Sequence, residues 1–585
     1  MAEQGASQAD NVVPLTEPPK EGGTQPAPGT EGEKGPSKNA LKKAAKEKEK
    51  AEKAAKRAAA EEAQRKAAEA NDVSKDDYGK LPTLPKATTT PSSNDVQWIS
   101  LPLIKEQLKD TDDAETEGGP HVMFQAVVEN ARSQSANLAF LVFKQGMSTI
   151  QAVVAKNETI SKQMVKFAAG IPAETVVRVH ALIKKPKEPV KSCTIQNLEA
   201  HVKKIYIISK ADSQLPLQVA DAERPIPAEG EEPSADEGAR PFVGLNTRLN
   251  HRVIDLRARQ NQAIFRIKDG VEELFCEFLR RKGFIGVKTP KLIESASEGG
   301  ANVFAIEYFA TKAFLAQSPQ LYKQMLISAR FEKVFEVGPV FRAENSNTAR
   351  HLTEFTGLDM EMEFEQNYHE VVGLLEELMI YVFNGLATRY KKETELVRES
   401  YHVPEFKIPQ AGKVPRLTFA EGIAMLREDG VEIGDFDDLS TPDEKRLGAL
   451  VLKKYGSDFF VLDKFPLAIR PFYTMPAPET YGHTPGEPNA GYSNSYDFFM
   501  RGQEIMSGAQ RIHNADFLEK RMREHVVPVD PKSPGLKDYV DSFRYGCPPH
   551  AGGGIGLERI VMLYLGLPNI RLASLFPRDP QRLTP

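Results

Sequence analysis

Between Trp98 and Lys210 apolar residues recur at every second position in several segments. Val122, Phe124, Ala126 and Val128 alternate with other residues, and Val177, Val179, Ala181 and Ile183 repeat the pattern. A period of two predicts half-buried strands, because successive side chains of an extended chain point to opposite faces. Adding NLAFLVFK, STIQAVVAK and TIQNLEAHVKKIYIIS gives about five strands, with SKQMVKFAAG as a helix between the third and fourth. That order suits an OB-fold barrel over residues 96–210.

Further along the period becomes helical. Val371, Leu375, Leu378, Met379, Val382 and Leu386 fall on one face and predict a buried helix. Glu376 and Glu377 interrupt its apolar run, so no membrane span is expected. From Phe242 to Pro585 helical and strand-like stretches mix without a linker, which predicts one large α+β domain over 242–585. Residues 211–241, rich in Pro, Ala, Glu and Asp, read as a hinge.

The first 95 residues lack either period. Residues 1–36 are rich in Gly, Pro, Glu and Gln and cannot bury enough surface to offset chain entropy, so disorder is expected. From Ser37 to about Ala70 the chain is nearly all Ala, Lys, Glu, Arg and Gln. This composition predicts a solvated helix without a core face, followed by a linker over 71–95.

Composition narrows the class of protein. The 585 residues are 40% hydrophobic and 27% charged, and the net charge of −5 hides a basic stretch near the N-terminus. Cys193, Cys276 and Cys547 are far apart and form no CxxC, which argues for a reducing compartment and against a zinc site. The start, MAEQGASQAD, has neither a secretory nor a mitochondrial pattern, so a cytoplasmic location is expected.

Four segments carry candidate chemistry. In FEVGPVFRAENSNTARHLTEFTGLDMEM, residues 335–362, a strand ends at Arg342 and Glu344, a polar loop follows, and the chain returns through Phe355 to Asp359 and Glu361. Such a hairpin offers a fixed cation, an acceptor and an aromatic face, suited to phosphate, an exocyclic amine and a purine. On these residues alone a charged hairpin with a structural salt bridge is an equal alternative. PPHAGGGIGLERIVMLYLG, residues 548–566, has glycines that permit close backbone approach and places Arg559 at a helix start, but completes neither a P-loop nor GxGxxG. NSYDFFMRGQEIMSGAQRIH, residues 494–513, sets Asp497 and Glu504 in strand-like surroundings before Arg511; carboxylates suit magnesium, while solvated surface acids are the alternative. AFLAQSPQLYKQML places Gln320 and Lys323 three apart, on one side of a helix that begins near Pro319.

Taken together these segments resemble class II aminoacyl-tRNA synthetases, specifically the eukaryotic cytosolic aspartyl-tRNA synthetases. The resemblance runs from about Ser100 to Pro585. FLRRKGFIGVKTPKL with Pro290 looks like the first class signature, VFRAE through GLDMEM the second, and GGGIGLERI the third. It implies an OB-fold followed by a class II catalytic domain built on an antiparallel sheet.

Residue by residue, the resemblance implies that Arg342 grips the ATP α-phosphate and Glu344 accepts from the adenine amine. Phe355 and Arg559 sandwich the ring, and His351 and Gly556 complete the ATP site. Asp497, Glu504 and Ser507 are implied to hold Mg²⁺ on the phosphates. Glu298 and Gln320 are implied at the ammonium of L-aspartate, with Lys323 and Arg511 at its side-chain carboxylate.

The resemblance also points to Arg132, Phe140, Gln151 and Glu199 as contacts to the tRNA(Asp) anticodon, although an aromatic in LAFLVF is ordinarily a core residue. In the extension, Lys38, Lys42, Lys43 and Lys46 match a basic element implied to meet the tRNA backbone, and Pro290 implies a homodimer. Two rivals share part of this pattern: an asparaginyl enzyme, and a catalytically dead RNA-binding paralogue. Paired cations at Lys323 and Arg511 favour a carboxylate, and intact Arg342, Arg559, Asp497 and Glu504 favour catalysis. The sequence leaves membership of a multi-synthetase complex undecided.

Overall fold

The computed structural model describes residues 56–57, 72–83, 96–108, 119–227, 240–294, 303–484 and 486–585. The expectations for Glu298 and for Lys38, Lys42, Lys43 and Lys46 lie outside these described residues. Within the basic stretch, Lys56 and Arg57 are helical and exposed.

The alternating segments form a closed barrel. Its strands are β1 (His121–Ser135), β2 (Leu138–Gln145), β3 (Ser148–Ala155), β4 (Val176–Lys184) and β5 (Ile195–Ser209), with α1 (Lys162–Ala169) between β3 and β4. β1 pairs with both β2 and β4, β2 with β3, and β5 closes the ring against β3 and β4. Closure removes the free sheet edge. The alternating residues named from sequence are all buried inside. Ser161 caps α1 by accepting from the Met164 amide at 3.1 Å, and Met164, Val165 and Ala168 pack into the barrel core.

The second sheet has eight strands. Those that position the site are β6 (Lys333–Phe341), β7 (Glu354–Glu363), β8 (Phe459–Asp463), β9 (Ser495–Met500), β10 (Gln503–Gln510) and β11 (His550–Gly556). In space they run β8-β9-β10-β11-β7-β6, antiparallel throughout. The short outermost strands Arg416–Thr418 and Ile285–Gly286 add in parallel at the two ends.

Two helices cover this sheet, α2 (Arg259–Arg281) and α4 (His369–Arg389), while α3 (Gln320–Ser328), α5 (Thr441–Tyr455) and α6 (Leu557–Leu565) flank the site. Val371, Leu375, Leu378, Met379, Val382 and Leu386 face the core, as their period predicts. α4 is the one described helix long and apolar enough to cross a membrane, and its apolar side is spent on this packing.

Candidate active site

A cavity of about 360 Å³ opens over the middle of the sheet. Of the implied ATP and amino-acid residues, Gln320, Arg342, Glu344, His351, Phe355, Arg511, Gly556 and Arg559 line it, with Glu504 and Ser507. Lys323 and Asp497 stand just behind that wall, buried, each paired with a residue that does line it.

At one part of the cavity the hairpin of β6 and β7 carries Arg342 and Phe355. Antiparallel pairing sets Val340 opposite Phe355, so Arg342, just past the strand end, reaches over the ring with its guanidinium 5.6 Å from the centroid. Arg342 Nε is buried without a partner, which leaves a donor for an anion. Glu344 lies 3.9 Å from both Arg342 and His351. Burial pushes the His351 imidazole below its ordinary value despite Glu344, so the ring is neutral near pH 7. Arg559, in the first turn of α6, is steadied by donating from Nη1 to the Glu504 carbonyl at 3.0 Å.

Elsewhere, in and just behind the cavity wall, two cations are braced by two carboxylates. α3 begins at Gln320, as the sequence predicts, and turns Gln320 and Lys323 inward. Lys323 Nζ donates to Asp359 Oδ1 at 3.0 Å and lies 3.5 Å from Glu361 Oε2. Arg511 Nε donates to Glu361 Oε1 at 3.0 Å, and Nη2 reaches Gln320 Oε1 at 3.1 Å and the Gly552 carbonyl at 3.0 Å. Burial alone raises the Glu361 carboxyl, but Arg511 and Lys323 outweigh it and hold it below its ordinary value.

These acids explain the glycines of β11. A Cβ on Gly552 would run into the Met360 carbonyl oxygen and Glu361 Oε2, and one on Gly554 would stand 3.0 Å from Asp359 Oδ1. The Gly-rich run is therefore a central strand whose glycines let the β7 backbone and carboxylates and, at Gly553, Met506 pack close against it. At Gly556 a Cβ would meet only Arg559 Cβ at 3.5 Å, an ordinary contact.

Two acids stand on the β9–β10 hairpin, where Asp497 pairs in register with Ser507. Asp497 Oδ2 accepts from Arg470 Nη2 at 2.7 Å, while Oδ1 is buried without a partner. Burial, with Glu504 adding to it against the pull of Arg470, pushes the Asp497 carboxyl up to about 7. Glu444 of α5 is likewise pushed up to about 7 by burial and by Glu504, and it lies 3.7 Å from Arg350. Among the described residues no group of three or more His, Cys, Asp or Glu side chains is arranged to hold a metal by itself. The crowded carboxylates and the orphaned oxygen fit a hard cation that shares its ligands with a bound phosphate.

Arg350, Glu444, Arg470 and Glu558 escaped the sequence reading. Glu558 accepts from Lys268 at 2.7 Å and from the Thr356 amide at 3.0 Å, tying α6 to α2 and to the hairpin. Its neighbour Arg559 in the third signature was its only signal. Arg470 precedes Pro471 in a short connection, and Glu444 occupies a helix that reads as surface.

On the barrel, Ala139 and Leu141 point inward while Phe140 is half-buried on the outer side, with Arg132 stacked 5.3 Å from its ring. Gln151 and Glu199 are adjacent in register, and Gln151 Nε2 donates to Glu199 Oε1 at 2.6 Å. Burial pushes the Glu199 carboxyl up, but hydrogen bonds from His201 and Gln151 bring it below its ordinary value. Arg132, Phe140, Gln151 and Glu199 thus share one side of neighbouring strands. Pro290 is exposed just beyond the edge strand Ile285–Gly286.

Residues 244–580 match the family model described as tRNA synthetases class II (D, K and N). The chain is 53% identical to the human cytoplasmic aspartate–tRNA ligase over 464 residues, which is 79% of this chain and 88% of that protein. The solved aspartyl tRNA synthetase from Entamoeba histolytica is 42% identical, with a TM-score of 0.73 over 87% of this chain and 96% of that one. An asparaginyl-tRNA synthetase from Pyrococcus horikoshii, solved with asparaginyl-adenylate, is 29% identical, with a TM-score of 0.65 over 80% and 96% respectively. The site, the fold and these likenesses agree, and the chain belongs to the class II tRNA synthetases of the D, K and N group, in the family of cytoplasmic aspartate–tRNA ligases.

Proposed function

We propose that the chain activates L-aspartate with ATP, releases pyrophosphate, and transfers the aspartyl group to the 3′ end of tRNA(Asp) in the cytoplasm. The observation that carries this reading is the pair of buried cations, Arg511 in the same cavity wall as the Arg342, Phe355 and Arg559 frame and Lys323 just behind it. Arg511 Nη1 has no hydrogen bond among the described residues, and Gln320 Nε2 is buried without a partner, so the open positions are donors. Donors suit both oxygens of a carboxylate and leave the NH₂ of an amide unpaired, a costly mismatch.

The chemistry follows from this arrangement. Phe355 and Arg559 stack the adenine, with Glu344 accepting from its amine and His351 and Gly556 bounding the site. Gln320 Oε1 keeps one lone pair for the aspartate ammonium, the group also proposed as the partner of Glu298. An α-carboxylate oxygen attacks the α-phosphorus, the bond to pyrophosphate breaks, and Arg342 stabilises the charge on the non-bridging oxygens without reorganising. The terminal tRNA hydroxyl then attacks the adenylate carbonyl, and AMP leaves. Asp497, Glu504 and Ser507 would hold Mg²⁺, which supplies charge neutralisation at the phosphates when bound with ATP.

Exchange of pyrophosphate into ATP, run separately with aspartate, asparagine and lysine, tests the reading. Aspartate alone should support it. Exchange with asparagine would select the amide-specific rival, and none with any of the three would select the inactive paralogue.

Anticodon recognition is proposed at Arg132, Phe140, Gln151 and Glu199. The half-buried ring under a guanidinium is a stacking platform for an unpaired base, worth about 1–3 kcal/mol per base. Phe140→Ala should weaken tRNA binding by that amount in a filter-binding titration, with aspartate-dependent exchange as the folding control. Unchanged affinity would return Phe140 to a packing role.

The lysines at 38, 42, 43 and 46 are proposed to meet tRNA phosphates. Deleting residues 1–70 should weaken tRNA binding and flatten its salt dependence, the slope falling by roughly 0.9 for each phosphate the segment neutralises. Identical affinity and slope would make the segment a spacer.

A homodimer is proposed through the face around Pro290. Ile285 and Leu292 nearby are about half exposed, an apolar feature expected at the centre of an isologous interface. Light scattering at micromolar concentration should give twice the chain mass; an active monomer would contradict it.

A further inference from the structure

Arg470 is a charged group in the cavity wall to which neither the sequence nor the mechanism above gives a task. It follows the short helical turn Leu467–Ile469, and its guanidinium carbon sits 3.9 Å from the centre of the Phe465 ring. Its carbonyl accepts from His525 Nε2 at 2.9 Å, so the backbone is fixed as well. From there Nη2 donates to Asp497 Oδ2 at 2.7 Å and Nη1 donates to Ser507 Oγ at 2.9 Å. Two of the three residues assigned to the metal are thus already held by an arginine. Asp497 Oδ1 and the Glu504 side chain remain without protein hydrogen bonds among the described residues.

The charges set a preference. With both carboxylates ionised, Asp497, Glu504 and Arg470 sum to −1, whereas the two acids alone would present −2 to an arriving divalent cation. A fixed guanidinium a few ångströms away repels a bare divalent ion strongly in a buried setting. A metal that arrives on a polyphosphate is a net anion, and for it the same guanidinium is attractive.

Resting on the metal reading above, we propose that Arg470 is a built-in countercharge that reserves the Asp497, Glu504 and Ser507 site for a divalent metal delivered with nucleotide, by opposing the metal alone. It is a positioning residue: it acts through Asp497 and Ser507. The arrangement prevents free metal from filling the site and locking the acids before nucleotide enters.

The test uses the full-length protein and Mn²⁺ alone, followed by electron paramagnetic resonance without nucleotide. Arg470→Gln removes the charge, Arg470→Met removes it while keeping an apolar stack on Phe465, and Arg470→Lys keeps it. Both neutral variants should bind Mn²⁺ roughly tenfold tighter than wild type or better, and the lysine variant should stay weak. The KM for ATP at saturating magnesium should rise about tenfold in the neutral variants, more than kcat falls. Adding Asp497→Asn to a neutral variant should abolish the gained Mn²⁺ site.

Mn²⁺ affinity that is unchanged or lower in the folded neutral variant overturns the proposal, leaving Arg470 as a brace for the acids. A gain that survives Asp497→Asn overturns it too, because the new site would lie elsewhere. Aspartate-dependent exchange by the wild type is scored separately, so failure of the functional reading is distinguishable from failure of this one.

Discussion

Lys323→Met is expected to lower aspartate activation by at least a hundredfold, and to destabilise the fold as well. The lysine side chain is 1% exposed and its ammonium is shared by Asp359 and Glu361, themselves 5% and 0% exposed. Removing one member of a buried charge set leaves the others uncompensated, at a cost of roughly 3–5 kcal/mol. The same loss withdraws a cation from the substrate carboxylate, and 3–5 kcal/mol in a transition state is on the order of 10²–10³-fold or more in rate. Lys323→Met therefore confounds two effects that a second change separates. Lys323→Met/Asp359→Asn removes a cation and an acid together, so its thermal midpoint should recover toward wild type while exchange stays low. Pyrophosphate exchange and calorimetry on both variants check this; exchange within a few-fold of wild type would sink the assignment of Lys323.

The barrel was readable because its signal is local. A strand with one face buried alternates, and the barrel-facing set of Val122 through Val128 and of Val177 through Ile183 keeps that period although Met123 and Leu182 are buried on the other face. The α4 face was readable for the same reason at the helical period. The β6–β7 hairpin, the start of α3 and the β9–β10 hairpin followed from short strand-like or helical runs bounded by turns.

What sequence could not show was who faces whom across strands far apart in the chain. Glu361 meets Arg511 across 150 positions, and Gly552 and Gly554 are glycine because the Met360 carbonyl and the carboxylates of β7 crowd them. A Gly-rich run is read locally as a flexible turn, whereas here the cause is a neighbour almost 200 residues earlier. Arg470 and Glu444 are harder still. Arg470 comes from a short connection and Glu444 from a helix that reads as surface, and only the folded sheet brings them to Asp497 and Glu504.

Asp497→Asn is expected to stabilise the metal-free protein above pH 7 while disabling it. Burial and the nearby Glu504 push the Asp497 carboxyl from an ordinary value near 3.8 to about 7 despite Arg470. Between these values the folded chain holds a proton that the unfolded chain has released. Stability therefore falls as pH rises from about 4 to about 7, and the full penalty stands above that window. A rise of that size corresponds to about 4 kcal/mol, and loss of the ionic bond to Arg470 trims what the amide recovers, so a gain on the order of 2–4 kcal/mol at pH 8 is expected. Near pH 4 wild type and variant should melt together. The raised value also means that a cation placed against the carboxyl would stabilise its charged form, so magnesium with ATP should raise the wild-type midpoint at pH 8 far more than the variant's. Activity moves the other way: losing one fixed group that balances phosphate charge costs roughly 10²–10³-fold in exchange. Calorimetry at pH 5 and pH 8, with and without magnesium and ATP, measures the first effect. A variant that is no more stable at pH 8 would show that Arg470 already compensates Asp497 fully, and the case for a metal at this carboxylate would lose its electrostatic ground.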